Sequence, residues 1–399
     1  MRVLIAGEVS SSHTARWVNQ LKDTGWQVHL FQVNANGNGV NPHFEYGVIH
    51  YPSLWNAQAD VEVRLTTTST DKPKQNEITG VYAEHYRYLF NLIKTFRPHV
   101  LHSHGLNINW SNLLTPVASI LGNIENACRP PWLYSTWGTD LDFFAKQSSS
   151  QRLSVVNAIK QCDYLTTECN RDKRLALEMG FAGEYCGQFP DYGGVRMEEM
   201  ALHRSEPVSG RKYVLIKGRD CQGPDGDPVG RAMVIMKALE LCREQLQGYT
   251  VAISQATNAV SRYAQYLKTM GINVEVLPHL KYSDLLDLLG NSRIFISMTI
   301  NDGLPSSLVE AMALGALPIH SDLEPIREWI MNGFNGYLVA PDNPQGLAEY
   351  LKMALKDDCF VDRAGQCNHD IINERLAYDL IQRRVISLYE HIAGRGNNR

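Results

Sequence analysis

Residues 301–318 read Asn-Asp-Gly-Leu-Pro-Ser-Ser-Leu-Val-Glu-Ala-Met-Ala-Leu-Gly-Ala-Leu-Pro, with two carboxylates, Asp302 and Glu310, on either side of a helix start. Gly303 and Pro305 break regular structure. Ser306 or Ser307 is suited to cap a helix, and Gly315 ends it. A strand that turns sharply into a helix leaves unpaired N–H groups and the positive end of the helix dipole facing the turn. That is a seat for a pyrophosphate. A plainer reading stands beside it: Ser307-x-x-Glu310 has capping-box spacing, in which Glu310 only closes the helix N-terminus.

Other polar groups cluster where short apolar runs end. Ile216-Lys217-Gly218-Arg219 closes one run, and Gly230-Arg231 opens the helix that follows. Guanidinium groups grip phosphate bidentately, although both arginines also read as solvated surface residues. Val9-Ser10-Ser11-Ser12-His13-Thr14 follows the first apolar run, so Ser11 and His13 fall at a strand end, with His13 alternatively a plain helix-start residue. His102 and His104 lie two apart and face one side of a strand if it persists. They have no third metal ligand nearby. Asp140-Leu141-Asp142 matches the short Asp-x-Asp pattern of metal-dependent transferases, but three residues carry little weight. No metal or other cofactor is expected.

The elements that must hold these groups alternate. Val3–Gly7, Val28–Phe31, His99–His102, Tyr213–Ile216, Thr250–Ile253, Val274–Leu277, Arg293–Ile296 and Leu317–His320 read as strands. Helical spacing separates them over 13–22, 84–96, 230–244, 261–270 and 308–314, and a last helix covers 378–391. This rhythm predicts parallel sheet with helices on both faces, in two separate halves. Thr66–Lys74 and Ser148–Ser150 read as loops, and Gly394–Arg399 as a frayed tail. The helix 84–96, with Tyr86, Arg87, Tyr88 and Lys94, offers a weak peripheral membrane contact, but buried packing is the favoured reading.

Composition excludes several classes. The chain has 399 residues, 44% hydrophobic and 20% charged, enough for two packed domains. Its 38 basic and 42 acidic residues give a net charge of −4, against nucleic-acid binding by phosphate neutralisation. No apolar run approaches membrane-span length, the N-terminal run is too short for a signal-peptide core, and the eight cysteines form no Cys-x-x-Cys pair. A cytoplasmic protein is expected, peripheral at the inner membrane face at most. Gly7-Glu8-Val9-Ser10 lacks the Gly-x-Gly-x-x-Gly of nicotinamide dehydrogenases.

Asp302, Glu310, Ala311-Met312-Ala313 and Gly315, continued by Ile326-Arg327-Glu328-Trp329-Ile330 and Asn332–Val339, resemble the family 4 glycosyltransferases of the GT-B fold. The resemblance implies two doubly wound Rossmann-like domains facing a central cleft: an acceptor domain over 1–198, and a nucleotide-sugar donor domain over 199–375. A C-terminal helix, about 376–399, crosses back to the first. It implies a retaining transfer, without metal, from a nucleotide-sugar, UDP by family frequency, to a glycan, glycolipid or small-molecule hydroxyl in polysaccharide or glycolipid assembly. Asp302 then meets the donor sugar and Glu310 the ribose. Gly303, Leu304, Ser306, Ser307, Arg219 and Arg231 hold the diphosphate, and the loop at His279 lies by the base, where a surface histidine is the blander reading. Ser11, His13, His104, Trp137 and Asp140 line the acceptor side.

Three departures stand out. Asp302 occupies a position where glutamate is usual. Trp137 replaces a sugar-contacting histidine and cannot shuttle a proton. The lysine expected after Arg219 is missing from 220–229. A nucleotide-sugar epimerase of the same fold, or an inactive nucleotide-sugar-binding protein, are the alternatives.

Overall fold

The computed structural model describes residues 1–33, 39–52, 59–66, 78–105, 114–122, 124 and 129–396. Two compact units emerge, Met1–Gly194 with the chain from Asp379 onward, and Val195–Tyr378.

The first unit carries β1 (Arg2–Gly7), β2 (Gln27–Gln32), β3 (Val48–Tyr51), β4 (Glu62–Leu65), β5 (Val100–His104), β6 (Trp132–Ser135), β7 (Tyr164–Thr167) and β8 (Glu184–Gln188). They form one parallel sheet in the order β4-β3-β2-β1-β5-β6-β7-β8. The helices are α1 (Ser12–Asn19), α2 (Ile78–Phe96), α3 (Leu114–Gly122), α4 (Ser149–Gln161) and α5 (Asn170–Glu178). The second unit holds β9 (Tyr213–Lys217), β10 (Thr250–Ser254), β11 (Val274–Val276), β12 (Ser292–Ser297), β13 (Leu317–Ser321) and β14 (Tyr337–Val339), all parallel, in the order β11-β10-β9-β12-β13-β14. Its helices are α6 (Met197–His203), α7 (Ala232–Leu241), α8 (Asn258–Thr269), α9 (Tyr282–Gly290), α10 (Ser306–Ala313), α11 (Pro344–Lys356) and α12 (Asp358–Leu376). Central strands read as continuous apolar runs because helices cover both faces of a parallel sheet.

A last helix, α13 (Tyr378–Gly396), packs in the first unit with Ile381, Val385, Leu388, Tyr389 and Ile392 buried. The Tyr389 hydroxyl accepts from Trp17 Nε1 at 3.0 Å and bonds His102 Nδ1 at 2.7 Å. Leu89, Leu92 and Ile93 of α2 are buried, as the packing reading of that helix requires.

Three expectations change. Ser149 and Ser150 are not loop but open α4, and Ser148, extended before them, caps it by accepting from the Gln151 N–H through its hydroxyl. Residues 394–396 continue α13 instead of fraying. The helix expected from 84 begins at Ile78. The stretch 67–74 lies outside the described residues, as does Cys128, and the seven described cysteines are free thiols.

His85 of α2 is fully buried, bonded to the Gln32 carbonyl and the Thr66 hydroxyl. Burial pushes its imidazole down to about 4 from 6.5. The unfolded chain therefore binds this proton more readily than the folded one. The stability contribution is complete above pH 6.5 and is lost as pH falls toward 4, about 3 kcal/mol in all. Urea unfolding between pH 7 and pH 4.5 should show this loss in the first unit, and His85→Gln should flatten the slope.

Candidate functional site

In the second unit the winding direction reverses between β9 and β12, and doubly wound sheets hold ligands outside the strand carboxyl ends at such a point. β9 ends at Lys217 and leaves through Gly218, whose N–H bonds the Ser254 carbonyl at 2.7 Å. A Cβ on Gly218 would fall 2.8 Å from the Ala256 Cα, so only glycine lets the chain turn this close to β10. The loop from β9 is then tied to the loop from β12. Arg231 N–H donates to the Met298 carbonyl at 2.9 Å, and the Thr299 hydroxyl donates to the Val229 carbonyl at 3.0 Å.

The turn into α10 differs from the expectation at one residue. Pro305, extended at φ −62° and ψ 125°, is the N-cap, and no side chain caps the helix. Ser306 and Ser307 are already helical, so neither is the cap. Proline's fixed φ and missing N–H suit it to this boundary. The Ser307 hydroxyl is buried without a hydrogen-bond partner among the described residues. A capping box would need Ser307 outside the helix, so that reading of Glu310 fails. Glu310, buried in the second turn, accepts from the Tyr282 hydroxyl of α9 at 3.0 Å. Gly303 and Leu304 are buried in the turn, and Gly303 N–H donates to Asp302 Oδ1 at 3.0 Å.

The two expected phosphate-binding arginines are both ion-paired. Arg219 is exposed and meets Asp227 at 2.7 Å. Arg231 bonds the carbonyls of Pro228 and Gly230 and lies 3.4 Å from Asp342. His279 is exposed after β11. Two residues missed from sequence stand here. Lys217 is electrostatically coupled to Asp302 and Glu310, and burial holds its ammonium below the usual lysine range. His320, at the end of β13, is fully buried and coupled to Asp302 and Lys217.

The first unit has its own reversal, between β1 and β5. Ser11 caps α1 through its hydroxyl. His13 Nδ1 lies 2.9 Å from Asp191 Oδ2, with its ring 5.8 Å from that of Trp137. His104 is fully buried, 5.0 Å from the Trp17 ring and 5.5 Å from that of Trp137, and burial lowers its pKa to about 4. Trp137 lies on Gly105, whose φ is +56°, and a Cβ there would fall 2.0 Å from the indole. Its Nε1 has no partner among the described residues. Asp140 orients this loop, accepting from the Tyr134 hydroxyl at 2.8 Å and the Trp137 N–H at 3.0 Å. Asp142 pairs with Lys146 and Arg171. Sequence reasoning missed Asp191, which lies 178 positions from its histidine partner.

Residues 2–168 match the Glycosyl transferase 4-like family, and residues 231–371 match the Glycosyl transferases group 1 family. The chain belongs to the family 4-like glycosyltransferases. Its GT-B fold is shared by solved structures of low sequence identity. Sucrose-phosphate synthase from Thermosynechococcus elongatus superposes with a TM-score of 0.70 at 11% identity, over 98% of this chain and 99% of that one. The Anabaena protein HepE, in complex with UDP-glucose, gives 0.71 at 14% identity over 98% and 100%. Among curated glycosyltransferases, the Campylobacter jejuni N,N'-diacetylbacillosaminyl-diphospho-undecaprenol alpha-1,3-N-acetylgalactosaminyltransferase is 30% identical over 28% of this chain and 29% of its own. The Komagataeibacter xylinus GDP-mannose:cellobiosyl-diphosphopolyprenol alpha-mannosyltransferase is 28% identical over 28% and 29%. Each match thus spans less than a third of these two relatives.

The two serine positions separate capping from ligand binding. Ser11→Ala should cost the first unit about 1 kcal/mol in urea unfolding. Ser307→Ala, which removes no capping bond, should change the second unit's stability by less than about 0.5 kcal/mol.

Proposed function

We propose that this glycosyltransferase moves a sugar from a nucleoside-diphosphate donor, UDP-linked in the favoured case, to a hydroxyl of a lipid-linked glycan with retention of anomeric configuration. The uncapped N-terminus of α10 carries this reading, because it lies at the switch point of its sheet with Glu310 turned away from any capping role. The diphosphate takes the backbone amides of the 303–307 turn, with Arg219 and Arg231 released to it from their aspartates. Glu310 holds the ribose hydroxyls and Asp302 the sugar. As the glycosidic bond breaks, positive charge spreads over the anomeric carbon, while the leaving diphosphate gains charge at the helix end. Positioning and leaving-group stabilisation then replace a strong base and a divalent ion.

The acceptor side is read at Ser11, His13, His104, Trp137 and Asp140, with the indole of Trp137 as a stacking face for a sugar. Both curated relatives named above act on polyprenol-diphosphate-linked sugars and form alpha-linked products, which supports a glycolipid acceptor met at the membrane surface. No helix among the described residues is long and apolar enough to cross a membrane.

Thermal unfolding with UDP, GDP, ADP and CMP tests the donor reading. A ligand at about a hundred times its Kd adds about 2.7 kcal/mol, a shift of a few degrees. One nucleoside diphosphate should stabilise the wild type, and Glu310→Ala should abolish the shift while its ligand-free unfolding stays cooperative. No shift with any nucleotide would overturn the reading. With the donor identified, NMR of the product's anomeric proton reads retention directly.

A further inference from the structure

Parallel register lines up four residues at the carboxyl edge of the second sheet. Ser254 pairs with Lys217 and Ser297 with His320, and the Ile296–Ile216 pairing makes Ser297 next in line with Lys217. One residue earlier, the row is Ile253, Ile216, Ile296 and Ile319, all fully buried. A lysine and a histidine among strand ends of such a core cost free energy unless something compensates them.

The protein supplies little compensation. The Lys217 ammonium makes no hydrogen bond and no ion pair within 4 Å among the described residues. His320 is 0% exposed, and its Nδ1 lies 3.2 Å from the Ser321 carbonyl. Its Nε2 has no hydrogen-bond partner among the described residues. Burial lowers this imidazole to about 4, so it is neutral at pH 7, and the charges it senses are Asp302 and Lys217.

The surrounding charge decides what Lys217 is for. Asp302, Asp227 and Glu310 all act on it, and Arg219 adds a like charge. Asp227 already holds Arg219, and Asp342 lies against Arg231. A diphosphate brought to the start of α10 meets this acidic surrounding, and it gains most directly from a cation that has no ion pair to give up. We propose that Lys217 is that cation: its ammonium receives the donor's diphosphate from the end of β9, at the carboxyl edge it shares with Ser254, Ser297 and His320. This rests on the donor reading above and places the phosphate-binding lysine on the strand end, upstream of Gly218-Arg219.

Calorimetric titration of wild type, Lys217→Met and Lys217→Arg with UDP, GDP, uridine and guanosine tests it, alongside the ligand-free Tm of each variant. The expected result is a ten- to hundredfold loss of affinity in Lys217→Met for whichever diphosphate the wild type binds, with its nucleoside unaffected. Lys217→Arg should recover part of the loss. The ligand-free Tm of Lys217→Met should hold, because a part-exposed ammonium with no hydrogen bond or close ion pair among the described residues contributes little to stability. Unchanged diphosphate affinity would overturn the proposal. So would an equal loss for diphosphate and nucleoside, or a lowered ligand-free Tm, since each marks Lys217 as a structural partner of the acids. Failure of the wild type itself to bind either diphosphate would instead sink the donor reading, and this inference with it.

Discussion

Parallel pairing brings every strand's carboxyl end to the same edge of its sheet, and what happens at that edge follows from register. In the second unit, Ile216 lies beside Ile253 and Ile296, so the residues one step on, Lys217, Ser254 and Ser297, have no choice but to share a level. Met298–Pro305 leaves from that level and starts α10 next to it. A one-residue slip in β9 that drew Lys217 into the place of Ile216 would bury its ammonium in the apolar layer and leave Gly218 at the mouth of the site. Core packing, which locks the isoleucine row, therefore also fixes the position of the charged groups.

That edge was only partly legible in the sequence. Asp302, Gly303, Leu304 and Glu310 could be found because strand, turn and helix are contiguous, and the motif is local. Lys217 and His320 could not, although each ends a run that reads plainly as strand, because their meaning lies in cross-strand register. Asp191 escaped for the same reason, being joined to His13 only by the closing of the first sheet. The error at Ser306 and Ser307 is of another kind. Serine is the better cap by preference, but Pro305 already holds the extended backbone at the boundary and pushes both serines inside. Ser148 shows the reverse case, a serine in a polar run that becomes a cap because a helix follows it.

The arginines show how a loop modifies an expected site. Residues 220–229 include Asp220 and Asp227, whose side chains accept from the N–H groups of Gln222 and Met233 and pair with Arg219, respectively. The loop holds itself together with the charges that a phosphate would use. An ion pair at a half-exposed arginine is worth little, so Arg219 can exchange partners at small cost. Arg231 is more committed, since its guanidinium also donates to two carbonyls of its own loop.

The bond between Tyr389 and Trp17 joins the last helix to the first, across 372 positions. The second unit is one continuous stretch, and its two ends are held together by Val195 N–H on the Leu376 carbonyl and Tyr378 N–H on the Val195 carbonyl, each at 2.8 Å. On a ribosome the first unit is therefore made first and completed last. Until α13 emerges, Trp17 Nε1 and His102 Nδ1 lack the hydroxyl that joins them, and the apolar surface that Ile381, Val385 and Ile392 cover stays open to water. The second unit, inserted whole in the sequence between the two parts of the first, can reach its final form while the first is still unfinished.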